Sequence, residues 1–178
     1  MKFQVSITKP VVGDIWERLS DVLEYWQNIK KDEALPSWHR LSFNIADLNP
    51  QAIPYVAAFD VLESGFRIRF FGTQRVWLQG RDYTGCLLSD YKPEMIALKI
   101  DEELKMVLQS KEPMLVTTKR TDPDSDEILT YEFLYLPLAK NGEDIDIIFT
   151  LGLNERDLKT LHKEYDQARR QDGWEPYF

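Results

Sequence analysis

The chain has 178 residues and a mass of 21.0 kDa, which suits one domain with flanking helices and a core of real size. Apolar residues make up 43% and aromatic residues 12%, a composition that excludes a disordered chain. With 22 basic against 30 acidic residues the net charge is -8, which speaks against nucleic acid and against anionic membrane, since both demand a basic face.

Residues 1–12 read as a loose or strand-like arm. A helical pattern begins at Asp14, where Ile15, Leu19, Val22, Trp26 and Ile29 recur at alternating steps of four and three, and Trp16 and Leu23 widen the seam. Asp14 is the expected N-cap, with Glu17 three residues on, and Pro36 of "LPSW" forbids continuation. Such a seam packs on the domain's own sheet, serves as a dimerising face, or does both. Residues 36–54 read as connector with one short helical turn.

The period then changes to two. "VAAFDVLE" (56–63) and "FRIRFFG" (66–72) read as paired strands around a Ser64-Gly65 turn. Phe66, Ile68 and Phe70 share one row of the second strand, and Arg67, Arg69 and Phe71 the other. The stretch 73–91 reads as short helical turns and loops. A clear helix is predicted over 93–111, with Pro93 at its first position and Ile96, Ile100, Leu104 and Leu108 along its inner face. Three strands follow: "PMLVTTKRT", "EILTYEFLYLPLA" after the acidic turn "DPDSDE", and "DIDIIFTLGL". In the second of these both rows are largely apolar, as in a strand covered on both faces. A final helix is expected at about 155–170, capped by Asn154 with Asp157 and lined by Leu158, Leu161 and Tyr165.

Five strands joined largely by hairpins imply one antiparallel sheet, with a helical crossover through 73–112 on one face and the N-terminal helix available for the other. The fold class is therefore α+β. The domain reading is an arm, amphipathic helix and connector over 1–55, a core over 56–153, and a C-terminal helix and tail over 154–178.

This order resembles a PAS domain, and the local stretches resemble a bacterial branch of small standalone PAS proteins. The residues that carry the resemblance are Tyr25-Trp26, Leu35-Pro36, the strand end Arg69, Gly72 and Thr73, and the element Gly80, Asp82, Thr84 and Gly85. The resemblance covers residues 22–153. It implies a sensory or regulatory module in signal transduction that holds a small ligand between sheet and crossover and dimerises through its flanking helices. No output motif is visible, so a signal would leave through an unidentified partner or through self-association.

The stretch "GRDYTGCLL" (80–88) tests the chemistry. A flavin photosensor needs its reactive cysteine three residues after the first glycine, and Tyr83 stands there; Cys86 comes three residues later. Haem needs an axial ligand, and the only histidines, His39 and His162, lie outside the crossover. Two histidines and one cysteine far apart in sequence make zinc an unexpected ligand too. Asp122, Asp124 and Asp126 open like a calcium loop, but Glu127 stands where its glycine belongs and Phe133 where its glutamate belongs. Catalytic motifs are missing, so no enzyme is expected. One cysteine cannot form an internal disulfide, the start has no signal-peptide character, and no run approaches the ~20 apolar residues of a membrane span. A cytoplasmic protein is expected.

The arginines remain. Arg67 and Arg69 require acceptors if buried, either an internal carboxylate such as Glu132 or Asp82, or an anionic ligand. Arg75, Trp77 and Tyr83 lie in the segment expected to wall a pocket. The candidate ligand-binding residues are thus Arg69, Arg75, Trp77, Tyr83, Thr117 and Tyr131. The cofactor is unassigned. The alternative is an interaction or dimerisation module with a filled core and no ligand.

Overall fold

The computed structural model describes residues 3–30, 34–39, 42–121, 128–152, 161–163, 166 and 170. The period-two stretches form strands. β2 (Val56–Leu62) and β3 (Gly65–Phe71) make the predicted hairpin, and Gly65 takes a positive φ of 127° that a side chain would resist. β4 (Met114–Thr121), β5 (Ile128–Leu138) and β6 (Ile147–Gly152) return across the sheet.

Among the described residues the sheet has six antiparallel strands rather than the five expected from the sequence, in the order β1-β4-β5-β6-β2-β3. The extra strand is the N-terminal arm: β1 (Phe3–Thr8) pairs with β4 over six residues. Its side chains 4–8 are all exposed, so the arm carries no burial pattern, and its backbone ladder to β4 holds it in place.

α1 (Glu17–Lys30) covers one face of the sheet. Its Leu19, Val22, Leu23 and Trp26 are buried against Leu134, Leu136, Leu138, Phe149 and Leu151. Burying side chains of this size stabilises by roughly 1.5–3 kcal/mol each. The Trp26 indole also donates to the Pro137 carbonyl at 2.9 Å. The apolar seam is therefore spent on the domain's own sheet. The helix starts at Glu17, not at Asp14, because Asp14 closes a turn onto the Val11 carbonyl and the Ser20 hydroxyl accepts from the Gly13 amide.

The motif residues anchor the connector on this same face. The Tyr25 hydroxyl donates to the Ser42 carbonyl and accepts from the Asn44 amide, both at 3.1 Å. The Leu35 amide donates to Gly142, and the Pro36 carbonyl accepts from Ala139, which fastens the connector to the turn after β5.

The crossover covers the opposite face with α3 (Glu94–Ser110), while α2 (Thr73–Gln79) sits between the two cores, its Leu78 in the α1-side core and its Val76 against the other. The crossover-side core holds Phe59, Phe66, Ile68, Phe71, Tyr83, Tyr91, Leu104, Val107, Val116, Tyr135 and Ile148. α3 is rotated slightly from the sequence expectation. Ala97, Glu103, Leu104 and Val107 are buried, whereas Ile96, Ile100 and Leu108 are half-buried. Among the described residues no helix is long and apolar enough to cross a membrane. Residues 161–163, 166 and 170 are helical, and Leu161 packs against the α1-side core. The expected cap Asn154, with Asp157, Leu158, Tyr165 and the acidic turn 122–127, lies outside the described residues.

Candidate functional site

Successive strand residues point to opposite faces, so register decides which side chains meet the crossover. Met114, Tyr135, Thr150, Ala57 and Phe71 form one row across five strands. Thr118 and Tyr131 form another row on the same side. Polar groups on these rows and on α2 and α3 make a buried polar stripe beneath the crossover.

At one end stands Arg75. Its Nε donates to the Tyr55 carbonyl at 2.8 Å and its Nη2 to the Thr150 hydroxyl at 3.2 Å, and the guanidinium lies 5.5 Å from the Phe133 ring centre. Thr150 in turn donates to the Ala57 carbonyl at 3.3 Å. Gly72 lets α2 begin this close to the connector, because a Cβ there would fall 2.3 Å from the Pro54 carbonyl oxygen. One helical turn beyond Arg75, Gln79 is only 1% exposed, and its Oε1 finds no donor among the described residues.

At the other end the Tyr135 hydroxyl donates to the buried Glu103 carboxyl. Lys99, one turn earlier on α3, lies 3.7 Å from the other Glu103 oxygen and donates to the Thr118 hydroxyl at 3.3 Å. Burial pushes the Glu103 carboxyl above its ordinary range, and the Tyr135 hydroxyl and the Lys99 charge pull it back in part. Glu103 sits in a charged run, "KIDEELK", that reads from sequence as a solvated helix face. The signal that finds it is position: it lies three residues after Ile100 and four before Val107, on the inner side of α3. Gln79, Thr150 and Tyr135 were likewise not among the sequence candidates.

The sequence candidates divide. Arg75 and Tyr131 are buried on the crossover side. Tyr83 is completely buried there: its hydroxyl accepts from the Lys92 amide at 3.2 Å, its ring meets Phe71 and Tyr91, and Arg81 lies 5.2 Å from its ring centre. Tyr83 therefore faces core, at the position a flavin-reactive cysteine would need. Arg69 does not join the site. It falls where the β2–β3 register skips a residue, and it pairs with the Asp60 carboxylate, so neither Glu132 nor Asp82 nor a pocket receives it. Thr117 also lies on the wrong face, one residue out of step with Thr118. Trp77 points outward from α2, 42% exposed, and stacks on His162 with ring centres 4.2 Å apart.

Residues 80–87 form a strap along β3. Gly80 and Gly85 take positive φ of 68° and 85°, the Ile68 amide donates to the Cys86 carbonyl, and the Gly85 amide donates to the Ile68 carbonyl. A further bridge joins Arg67 and Leu87.

No curated protein sequence matches the chain. Among solved structures it is similar to an RNA-binding light-oxygen-voltage receptor, at 11% identity over 97% of this chain and 44% of that one, with a TM-score of 0.43. The chain thus spans under half the length of that receptor. It is also similar to the light state of the Aureochrome1 light-oxygen-voltage domain (13% identity, 65% and 94% coverage, TM-score 0.39) and to a fungal light-oxygen-voltage photoreceptor (12% identity, 75% and 89% coverage, TM-score 0.40). A sequence model of the PAS domain matches residues 17–153, well over half of the chain and the whole of the sheet except β1. With its antiparallel sheet and helical crossover, the chain belongs to the PAS domain family.

Proposed function

We propose that the chain is a non-enzymatic sensory PAS module in signal transduction that takes up a small polar molecule beneath α2, at the end of the stripe formed by Arg75, Gln79 and Thr150. The observation that carries this reading is the Gln79 side chain, buried with its carbonyl oxygen unmatched among the described residues. A buried acceptor without a donor costs about 1–3 kcal/mol, so a sequence that keeps one there gains when a ligand supplies the donor. The ligand is accordingly a small molecule with an N–H or O–H group. Arg75 is already bonded to Tyr55 and Thr150, which weighs against an anionic ligand at this arginine. Tyr131 is buried on the same side of the sheet, opposite Thr118 in the register.

The non-enzymatic part of the reading draws support from the two histidines: His39 is exposed, and His162 stacks on the outward-facing Trp77. A cytoplasmic setting accords with Cys86, a free thiol. The test is native mass spectrometry of freshly purified protein beside a Gln79→Leu variant. A retained small mass that the variant loses is the expected result. Protein without added mass, and without thermal stabilisation by any member of a metabolite panel, overturns the reading.

A second reading, a self-associating module, is favoured by an open sheet edge. It is independent of the ligand.

A further inference from the structure

A six-stranded open sheet has two edges, here β1 and β3, and they are built differently. The outer edge of β3 is closed: the strap places Cys86 and Gly85 against Ile68 and bridges Leu87 to Arg67, and the strand carries Arg67 and Arg69. Such cover and charge are the usual protections against strand addition. β1 has neither. Its sequence, "FQVSIT", holds no charge and no proline, its six-residue register with β4 is unbroken, and residues 4–8 are exposed.

The face of β1 adds to this. Val5 pairs with Thr118 and Ile7 with Val116, which places both on the crossover side. α3 does not reach far enough to cover them, and they stay 49% and 44% exposed. The contact from Lys99 to Thr118 turns one flank of α3 toward this edge, and Met95 and Met106, on the same flank, are exposed as well.

We infer that β1 is a self-association edge, and that a second copy of this chain pairs with it antiparallel about a two-fold axis. Three features select that occupant. Unpaired backbone donors and acceptors are satisfied by another open strand edge, and among the described strands β1 is the one such edge the protein presents. Because β3 is closed, a β1-to-β3 contact cannot propagate, so association stops at a closed dimer instead of a fibre. The charge also fits: two copies at -8 each repel, and β1 offers an approach without charges along its length. The interface differs from the dimer expected through the flanking helices, since the α1 seam is buried against its own sheet.

The test is sedimentation velocity on the full chain across the micromolar range, together with a Val5→Lys/Ile7→Lys variant and a Ser6→Cys variant in a Cys86→Ser background. The expected results are a concentration-dependent dimer, its loss in the lysine variant with an unchanged circular dichroism spectrum, and a disulfide-linked dimer from S6C on mild oxidation. The crosslink leaves the apolar face intact, so it decides the matter even if the lysine variant folds poorly. A wild-type monomer at every concentration overturns the inference. So does a dimer that forms no S6C crosslink, or an open series of larger species.

Discussion

Tyr135→Phe removes one buried hydroxyl. The ring remains, so no cavity forms, but the Glu103 carboxyl loses the hydroxyl that donates to it. Lys99, half-exposed and 3.7 Å away, remains as its charge partner. Leaving a buried acceptor unpaired costs about 1–3 kcal/mol, and we expect about 2 kcal/mol at neutral pH. For a chain of this length that corresponds to a fall in Tm of roughly 4–8 °C. The pH dependence has a definite sign. Burial holds Glu103 above its ordinary value, so its contribution to stability is fully present below the unfolded value and is lost as pH rises through the folded one. The hydroxyl favours the ionised form, so Y135F raises the folded value further. The difference between wild type and variant is therefore smallest in acid and widens as pH rises through the two folded values. Glu103→Leu combined with Tyr135→Phe removes both partners and costs less than the two single changes added together. Urea unfolding followed by circular dichroism across a pH series measures all of this. A Y135F cost that is the same at every pH, or a double variant whose cost equals the sum, refutes the account.

Three further outcomes are expected. Gly72→Ala forces a Cβ against the Pro54 and Ile53 backbone, so expression of folded protein drops sharply and any recovered protein loses about 3 kcal/mol or more in urea titration. Trp77→Ala removes the stack on His162; hydrogen exchange speeds up at residues 161–163, while global stability falls by only about 0.5–1.5 kcal/mol. Arg69→Ala breaks a half-exposed ion pair with Asp60, costs at most about 1 kcal/mol, and leaves the retained ligand mass unchanged.

The elements were legible where burial repeats. The α1 seam, the β2–β3 hairpin and the apolar rows of β5 and β6 all announce their covered faces. From sequence β1 reads as no more than a loose or strand-like arm, because an exposed edge strand has no buried row to show. The site was less legible, since a strand's two rows look alike until register is known. Thr117 and Thr118 are neighbours of the same type, and only pairing with Tyr131 places the second of them under the crossover. Trp77 failed for a related reason: seven helical residues are too few to fix which side of α2 faces in. Glu103 was hidden by its charged neighbours, because a carboxylate in such a run is normally solvated.

The strap over β3 carries the chain's single thiol. Cys86 is half-buried, and its backbone is tied to Ile68 while the strap is seated. Alkylation of that thiol is thus a clock for the lifting of the strap, running in unmodified protein with no dye attached. Read under conditions that occupy the stripe beneath α2, and again under conditions that pair β1, the same clock reports whether either event is felt at the far edge of the sheet.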